Sequence, residues 1–318
     1  MHNSMARRTS NKIQPAVMTI ALEIPSGPAS STIDLSQVAS LMNRRFYRQG
    51  INWAVAGFKV INAPGSTGGL TISQLPNTWV TSNAWEKAFR AWNKQQMEMI
   101  EESGGQSAVA RFRDFKIFAD TAHVDAGVAG NLLPIDLLGA TYAPGEWQAS
   151  QIVIPNSGAP GVNVEWSLHM VGDNFYNPGL SRGIIEGYAD SRAYPQSPDP
   201  VSPNLDSTNN WLSQMFDTGD NIGLVLDNAT DKNDDLPYPQ VNYPGGEVQA
   251  PTLQYHDSAL VSGTTIGGVT RMKGGNFPCG LIRLNSNLTP PTEGGNILVI
   301  DLVPGNHRGY LCEPMTEM

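Results

Sequence analysis

Residues 51–62, INWAVAGFKVIN, decide the fold. In extended backbone successive side chains point to opposite faces. Trp53, Val55, Gly57, Lys59 and Ile61 then share one face, and Ala54, Ala56, Phe58 and Val60 share the other. Both faces are largely apolar, which suits a strand inside a two-layer sandwich. Upstream, Gln14 to Ile24 (QPAVMTIALEI) is apolar, stops at Pro25 and reads as a first strand. Pro25 to Ser31 reads as a Pro/Gly/Ser loop. Asp34 reads as a helix start, with Leu35, Val38, Leu41 and Met42 at helical spacing. That helix would put Arg44 and Arg48 on one face, with Arg45 beside them, and would end at Gly50. Downstream, Gly65 to Gly69 reads as a turn and Leu70 to Leu75 as a short strand.

A stronger helix signal covers 84–102. Asn83 would cap it with Glu86 three residues on. Trp85, Ala88, Phe89, Trp92, Met99 and Ile100 form an apolar stripe for packing on a sheet, and Gly104 and Gly105 close the segment. Further strands are expected near 113–121, 147–154, 162–171, 184–192, 222–227, 252–267, 279–285 and 296–303. A long loop, opening AYPQSPDPVSPN, spans 193–221. The chain has 32 Gly, 23 Pro and only 15% charged residues. The expectation is an all-β chain: a β-sandwich or jelly roll with long loop insertions and one or two helices. No apolar run is long enough to cross a membrane, and no secretory signal is expected.

Charge is split along the chain. Residues 1–50 hold six Lys/Arg against two acids, a net of +4, while residues 51–318 carry a net of −13. Arg7, Arg8 and Lys12 lie in an acid-free stretch, 1–14, that reads as a basic arm, and Arg44, Arg45 and Arg48 follow. Sequence-independent affinity for nucleic acid comes from neutralising phosphates. The start of the chain is thus suited to a polyanion and the body to something else. The plainer reading is a solvated basic terminus. Residues 199–257 hold ten acids and one base. Within them Asp227, Asp231, Asp234 and Asp235 cluster with Asn228 and Asn233. Hard oxygen ligands at this density suit Ca²⁺, though the EF-hand pattern is missing, and a solvated acidic loop is the alternative.

Enzyme signatures such as GxxxxGK[ST], GxSxG, HExxH and CxxC are absent, and His2, His123, His169, His256 and His307 show no metal-ligand spacing. No catalytic residue is assigned and the chain is not expected to be an enzyme. Cys279, in NFPCGL, reads as a buried thiol, and Cys312 as a second reduced cysteine.

Three stretches carry a resemblance: NRRFYRQGINWAVAGFKV (43–60), GYADSRAYPQSPDP (187–200) and NFPCGLIRL (276–284). Together with the basic start and β-rich body they resemble capsid proteins of small circular Rep-encoding single-stranded DNA (circo-like, CRESS-DNA) viruses. The resemblance implies a single jelly roll of eight strands in two sheets over 15–318, behind the 1–14 arm. It implies self-assembly into a small icosahedral shell, sixty copies in the simplest case, around a single-stranded DNA genome. The implied location is the virion, assembled inside the host cell, the nucleus included. Arg7, Arg8, Lys12, Arg44, Arg45 and Arg48 would face the genome. Sixty three-charge arms give about 180 charges, far below a genome on the order of thousands of phosphates, so an RNA genome stays open. Two other classes compete. A carbohydrate-binding or glycoside-hydrolase-like jelly roll would use the seven Trp and paired carboxylates. A phage or particle appendage protein is the third.

Overall fold

The structure, a computed structural model, describes residues 15–104, 114–155, 163–192, 252–262, 268–289 and 294–318, together with Gly223 and Asp227. The expected arm, the 193–221 loop, and Asp231, Asp234 and Asp235 lie outside these residues, as does most of the expected strand near 222–227.

Eight strands form two four-membered antiparallel ladders. In chain order they are β1 (Thr19–Ile24), β2 (Gly27–Asp34), β3 (Ile51–Ile61) and β4 (Gly68–Gln74), then β9 (Gln254–Val261), β10 (Val269–Phe277), β11 (Leu281–Leu288) and β12 (Asn296–Leu302). One sheet runs β1-β12-β3-β10, with a short strand β15 (Cys312–Pro314) also paired to β3, and the other runs β2-β11-β4-β9. The inner faces close one apolar core, with Ile20, Leu22 and Phe58 from the first sheet meeting Ile33, Ile72 and Leu284 from the second. The chain is therefore a mostly β, sandwich-like structure. Leu35–Asn43 forms helix α1 between β2 and β3, and a hairpin, β13 (Pro304–Gly305) with β14 (Gly309–Tyr310), follows β12.

The opening stretch is a strand, but its two faces are not the ones that simple alternation gives. Trp53 and Val55 point inward, and after Ala56–Gly57 the inward positions become Phe58 and Val60. The register against β12 slips by one between Asp301 and Leu302, which is a β-bulge. A one-residue slip exchanges the faces. Lys59 consequently points out and pairs with Asp301, whose carboxyl is held low mainly by that contact.

Residues 75–253 are inserted between β4 and β9. They carry α2 (Trp79–Ser103), α3 (Thr121–Ala126), β5 (Gln151–Pro155), β6 (Asn163–His169), β7 (Phe175–Tyr176), β8 (Ser181–Gly183) and α4 (Ile184–Arg192). The strands make a small sheet ordered β5-β6-β8-β7, in which β6 and β8 run parallel. A second apolar cluster, including Val80, Trp85, Trp92, Phe115, Leu168 and Met170, lies beneath α2. The Gln95 side-chain amide completes the edge of β5, donating to the Val153 carbonyl at 2.8 Å and accepting from its N–H at 3.0 Å.

Several expectations are corrected. Four α-helices, not one or two, occur among the described residues. The 25–31 stretch is not a loop, because Gly27 to Ser31 belongs to β2, and the expected strand at 184–192 is α4. Helix α2 begins after Thr78, not Asn83, because Val80, Thr81 and Ser82 are already buried under it. Residues near 113–121 give a single bridge, Phe118 to His169, before Asp120 caps α3 through the His123 N–H. Helix α1 stops at Asn43, so Arg44 and Arg48 do not share a helix face.

Candidate nucleic-acid interface

Residues 44–50 join α1 to β3, and their side chains alternate between water and the core. Arg44, Arg45 and Arg48 are exposed, while Tyr47 and Gln49 are buried. Arg44 takes a left-handed backbone at φ 53° and turns the chain out of α1. Tyr47 packs on Trp53 and Tyr310 at ring separations of 5.9 and 5.5 Å, and burial raises its hydroxyl pKa. Gln49 acts as a piece of backbone. It accepts from the Ile117 N–H at 2.6 Å, and donates to the Ile117 carbonyl and to Asp34 at 3.1 Å each.

Asp34 anchors the corner from below. It caps α1 by accepting from the Ser36 and Gln37 amides, and it also accepts from Gln49 and from the Trp147 indole at 3.0 Å. Four donors favour the carboxylate, yet burial outweighs them and raises its pKa. The Lys116 ammonium sits 4.2 Å over the Trp147 ring, pairs with Asp114, and is lowered by burial against the pull of Asp34. These contacts fix the floor of the connector, while its arginines are exposed above it.

The same corner receives the start of the described chain. Arg45 donates to the Pro15 carbonyl at 3.2 Å. The Val17 N–H donates to Asn43 at 2.9 Å, and Tyr310 donates to the Val17 carbonyl at 2.7 Å. The segment holding Arg7, Arg8 and Lys12 therefore joins the described structure beside Arg45. The structure adds two bases that sequence spacing could not group here. Arg308, at φ 52° in the β13–β14 turn, donates to the Phe46 carbonyl, and Arg90 of α2 lines a cavity together with Arg48. Their sequence distance from 44–48 hid them.

Other candidates resolve differently. Asp227 is exposed. Among the described residues no group of three or more His, Cys, Asp or Glu stands close enough to hold a metal ion. His123 is buried and accepts from the Ala119 N–H through Nδ1, so Nε2 donates to Asn131 at 2.8 Å. Burial lowers its pKa to about 4. His169 is locked between Ser181 and the Asp173 carbonyl. Cys279 is a free, fully buried thiol whose pKa burial pushes well up, and burial pushes Cys312, also free, up to about 12. Three cavities of about 380–410 Å³ are lined by at most one carboxylate each: Asp120, none, and Glu86. In none of the three do two carboxylates face each other as glycoside hydrolysis requires. No helix among the described residues is long and apolar enough to cross a membrane. Comparisons with protein-family models, with curated proteins and with solved structures found no match.

Proposed function

We propose that the protein is the shell subunit of a small icosahedral particle, in which identical copies enclose a single-stranded DNA genome. The observation that carries this reading is the strand order. Among the eight strands of the two sandwich sheets, the first pairs with the last, the second with the seventh, the third with the sixth and the fourth with the fifth. We read this order as the winding of a jelly roll, a fold that viral shells share with lectins and cupins. Fold alone carries no function. The basic corner and the arm that joins it supply a polyanion-facing side, and identical subunits with complementary patches close into symmetric shells. The resemblance of 43–60, 187–200 and 276–284 to circo-like capsid proteins points the same way.

On this reading Arg7, Arg8, Lys12, Arg44, Arg45 and Arg48 face the genome. The acidic stretch holding Asp227, Asp231, Asp234 and Asp235 faces outward or lies at a subunit junction, because carboxylates beside phosphates repel within a Debye length of about 8 Å. Ca²⁺ at such a junction would strengthen assembly, and a chelator that leaves particle stability unchanged removes that cation. The functional test is nuclease protection. Particles purified after expression are expected to carry nucleic acid that resists added nuclease. Particles whose nucleic acid is fully digested without disruption contradict a genome-enclosing role.

A further inference from the structure

We propose that the cavity between the 44–50 connector and α2 binds one nucleotide of a single-stranded nucleic acid, with the phosphate at Arg48 and Arg90 and the base against Phe89 and Trp85. The proposal rests on the genome-facing assignment of the 44–48 corner and names the site where that corner takes hold of its ligand. The cavity measures about 390 Å³ and is lined by Arg48, Trp85, Phe89, Arg90, Phe115 and His307 among others. This falls in the range of small-ligand sites, roughly 300–1,000 Å³.

The chemistry of the walls selects the ligand. Glu86 also lines the cavity, but it pairs with Arg90 one helical turn away. Burial lowers the His307 pKa, and Arg308 lowers it further, so the imidazole is neutral at physiological pH. The lining therefore keeps a net positive charge, which suits a phosphate. Trp85 and Phe89 are stacked at 5.2 Å and 8°, and Phe115 meets both edge-on. Trp92 also stacks on Phe89, at 6.3 Å and 29°, and the part of the half-buried Phe89 ring that these neighbours leave uncovered is what a ligand can reach. Aromatic rings beside basic side chains form the sequence-tolerant platform on which single-stranded bases stack.

A second observation is independent of charge and stacking. The Trp85 indole N–H is buried and has no acceptor among the described residues. A buried donor without a partner is uncommon in native structures. Gly50 sits against the ring edge next to that nitrogen and lines the same cavity, and a Cβ there would collide with the indole. Every nucleobase carries ring nitrogens or carbonyls that would accept this hydrogen bond once the covered indole edge is opened. The position also fits a continuous track, since Arg45 touches Pro15, where the arm joins, and Arg48 three residues on lines the cavity.

The test is fluorescence anisotropy of a labelled oligo-dT on the full chain, with assembly followed separately by light scattering. Phe89→Ala is expected to weaken binding roughly 5- to 150-fold, the range of one base–aromatic stack. It should leave the slope of log K against log salt unchanged, because no charge is lost. Arg48→Gln with Arg90→Gln should weaken binding and flatten that slope. Phe89→Leu gives the same readout if the alanine variant fails to fold. A folded Phe89 variant that binds like the wild type overturns the cavity site. If Arg7→Gln, Arg8→Gln and Lys12→Gln together still reduce binding in that case, the genome-facing assignment stands alone. No binding by the wild-type chain overturns both. Binding of a neutral oligosaccharide in preference to oligo-dT overturns the nucleotide assignment and favours a sugar.

Discussion

The sandwich and the inserted layer answer the same problem, covering apolar surface, in opposite ways. The sandwich draws its core from strands far apart in sequence, such as β1 against β12 and β2 against β11, in ladders of six and eight pairs. Its interior is aliphatic and aromatic, with Trp53 fully buried beside Tyr47 and Tyr310. The insertion has short strands, two to seven residues long, and relies on α2, an aromatic cluster and buried polar contacts. His123 and His169, both buried and both lowered mainly by desolvation, belong to it. Burial of aliphatic and aromatic side chains is insensitive to pH, whereas burial that includes neutral imidazoles is not. The insertion should therefore yield first to acid and the sandwich last. Arg283 of β11 ties the two together. It is 5% exposed, pairs with Asp120 at the start of α3, and donates to Ser30 at 3.1 Å.

The largest expected effect is in the sandwich. Trp53→Ala should cost about 3–5 kcal/mol in denaturant unfolding, because the site sits among tightly packed rings. A cost below about 1 kcal/mol would mean that this core is not the stabilising unit. Next is the tie between the regions. Arg283→Ala should cost about 3 kcal/mol, the lower end for breaking a buried pair, since Asp120 keeps some contact with water. Hydrogen exchange should show the insertion losing protection while β11 and β12 keep theirs. Equal loss in both regions would break the contrast.

Acid comes third. The His123 pKa falls from 6.5 unfolded to about 4 folded, so the unfolded chain binds the extra proton between these values. Stability is then full above pH 6.5 and is lost as pH falls towards 4, by up to about 3 kcal/mol. Asp34, raised by burial, works in the opposite sense: its contribution is present below its unfolded pKa and is lost as pH rises through its folded one. The His123 contribution is therefore read as the difference between the wild type and His123→Gln, whose stability profile should be flatter over pH 4–6.5. Parallel profiles would contradict it. Smallest is the surface. Glu86→Gln breaks the one-turn pair with Arg90, which is largely exposed, and should change stability by at most about 0.5 kcal/mol.

The same contrast explains what the sequence could tell. Strands with both neighbours in the ladder, β3, β4, β11 and β12, were legible from apolar alternation. The two sandwich strands that were missed, β2 and β10, are sheet edges, although the other two edges, β1 and β9, were expected. An edge tolerates Pro28 in β2. In β10, Gly274 stands where a Cβ would collide with the Val55 and Ala56 carbonyls, so this glycine, which weakens a strand signal, is demanded by a neighbouring strand. In the insertion, Ile184 and Ile185 look like a strand opening but are buried on α4 under α2, a tertiary outcome that local pattern does not carry. The Arg44, Arg45 and Arg48 cluster was visible as charge. Across the cavity, Trp85 and Phe89 were visible only as part of a helix stripe and Arg90 only as a charge off that stripe, because nothing in a single sequence brings α2 to the 44–50 connector.

The shell reading meets its most direct test in the assembly state of the purified full chain. Size-exclusion chromatography with light scattering, checked by negative-stain microscopy, is expected to show closed particles of uniform size in the megadalton range. A strictly monomeric protein across a range of salt and pH would contradict the account.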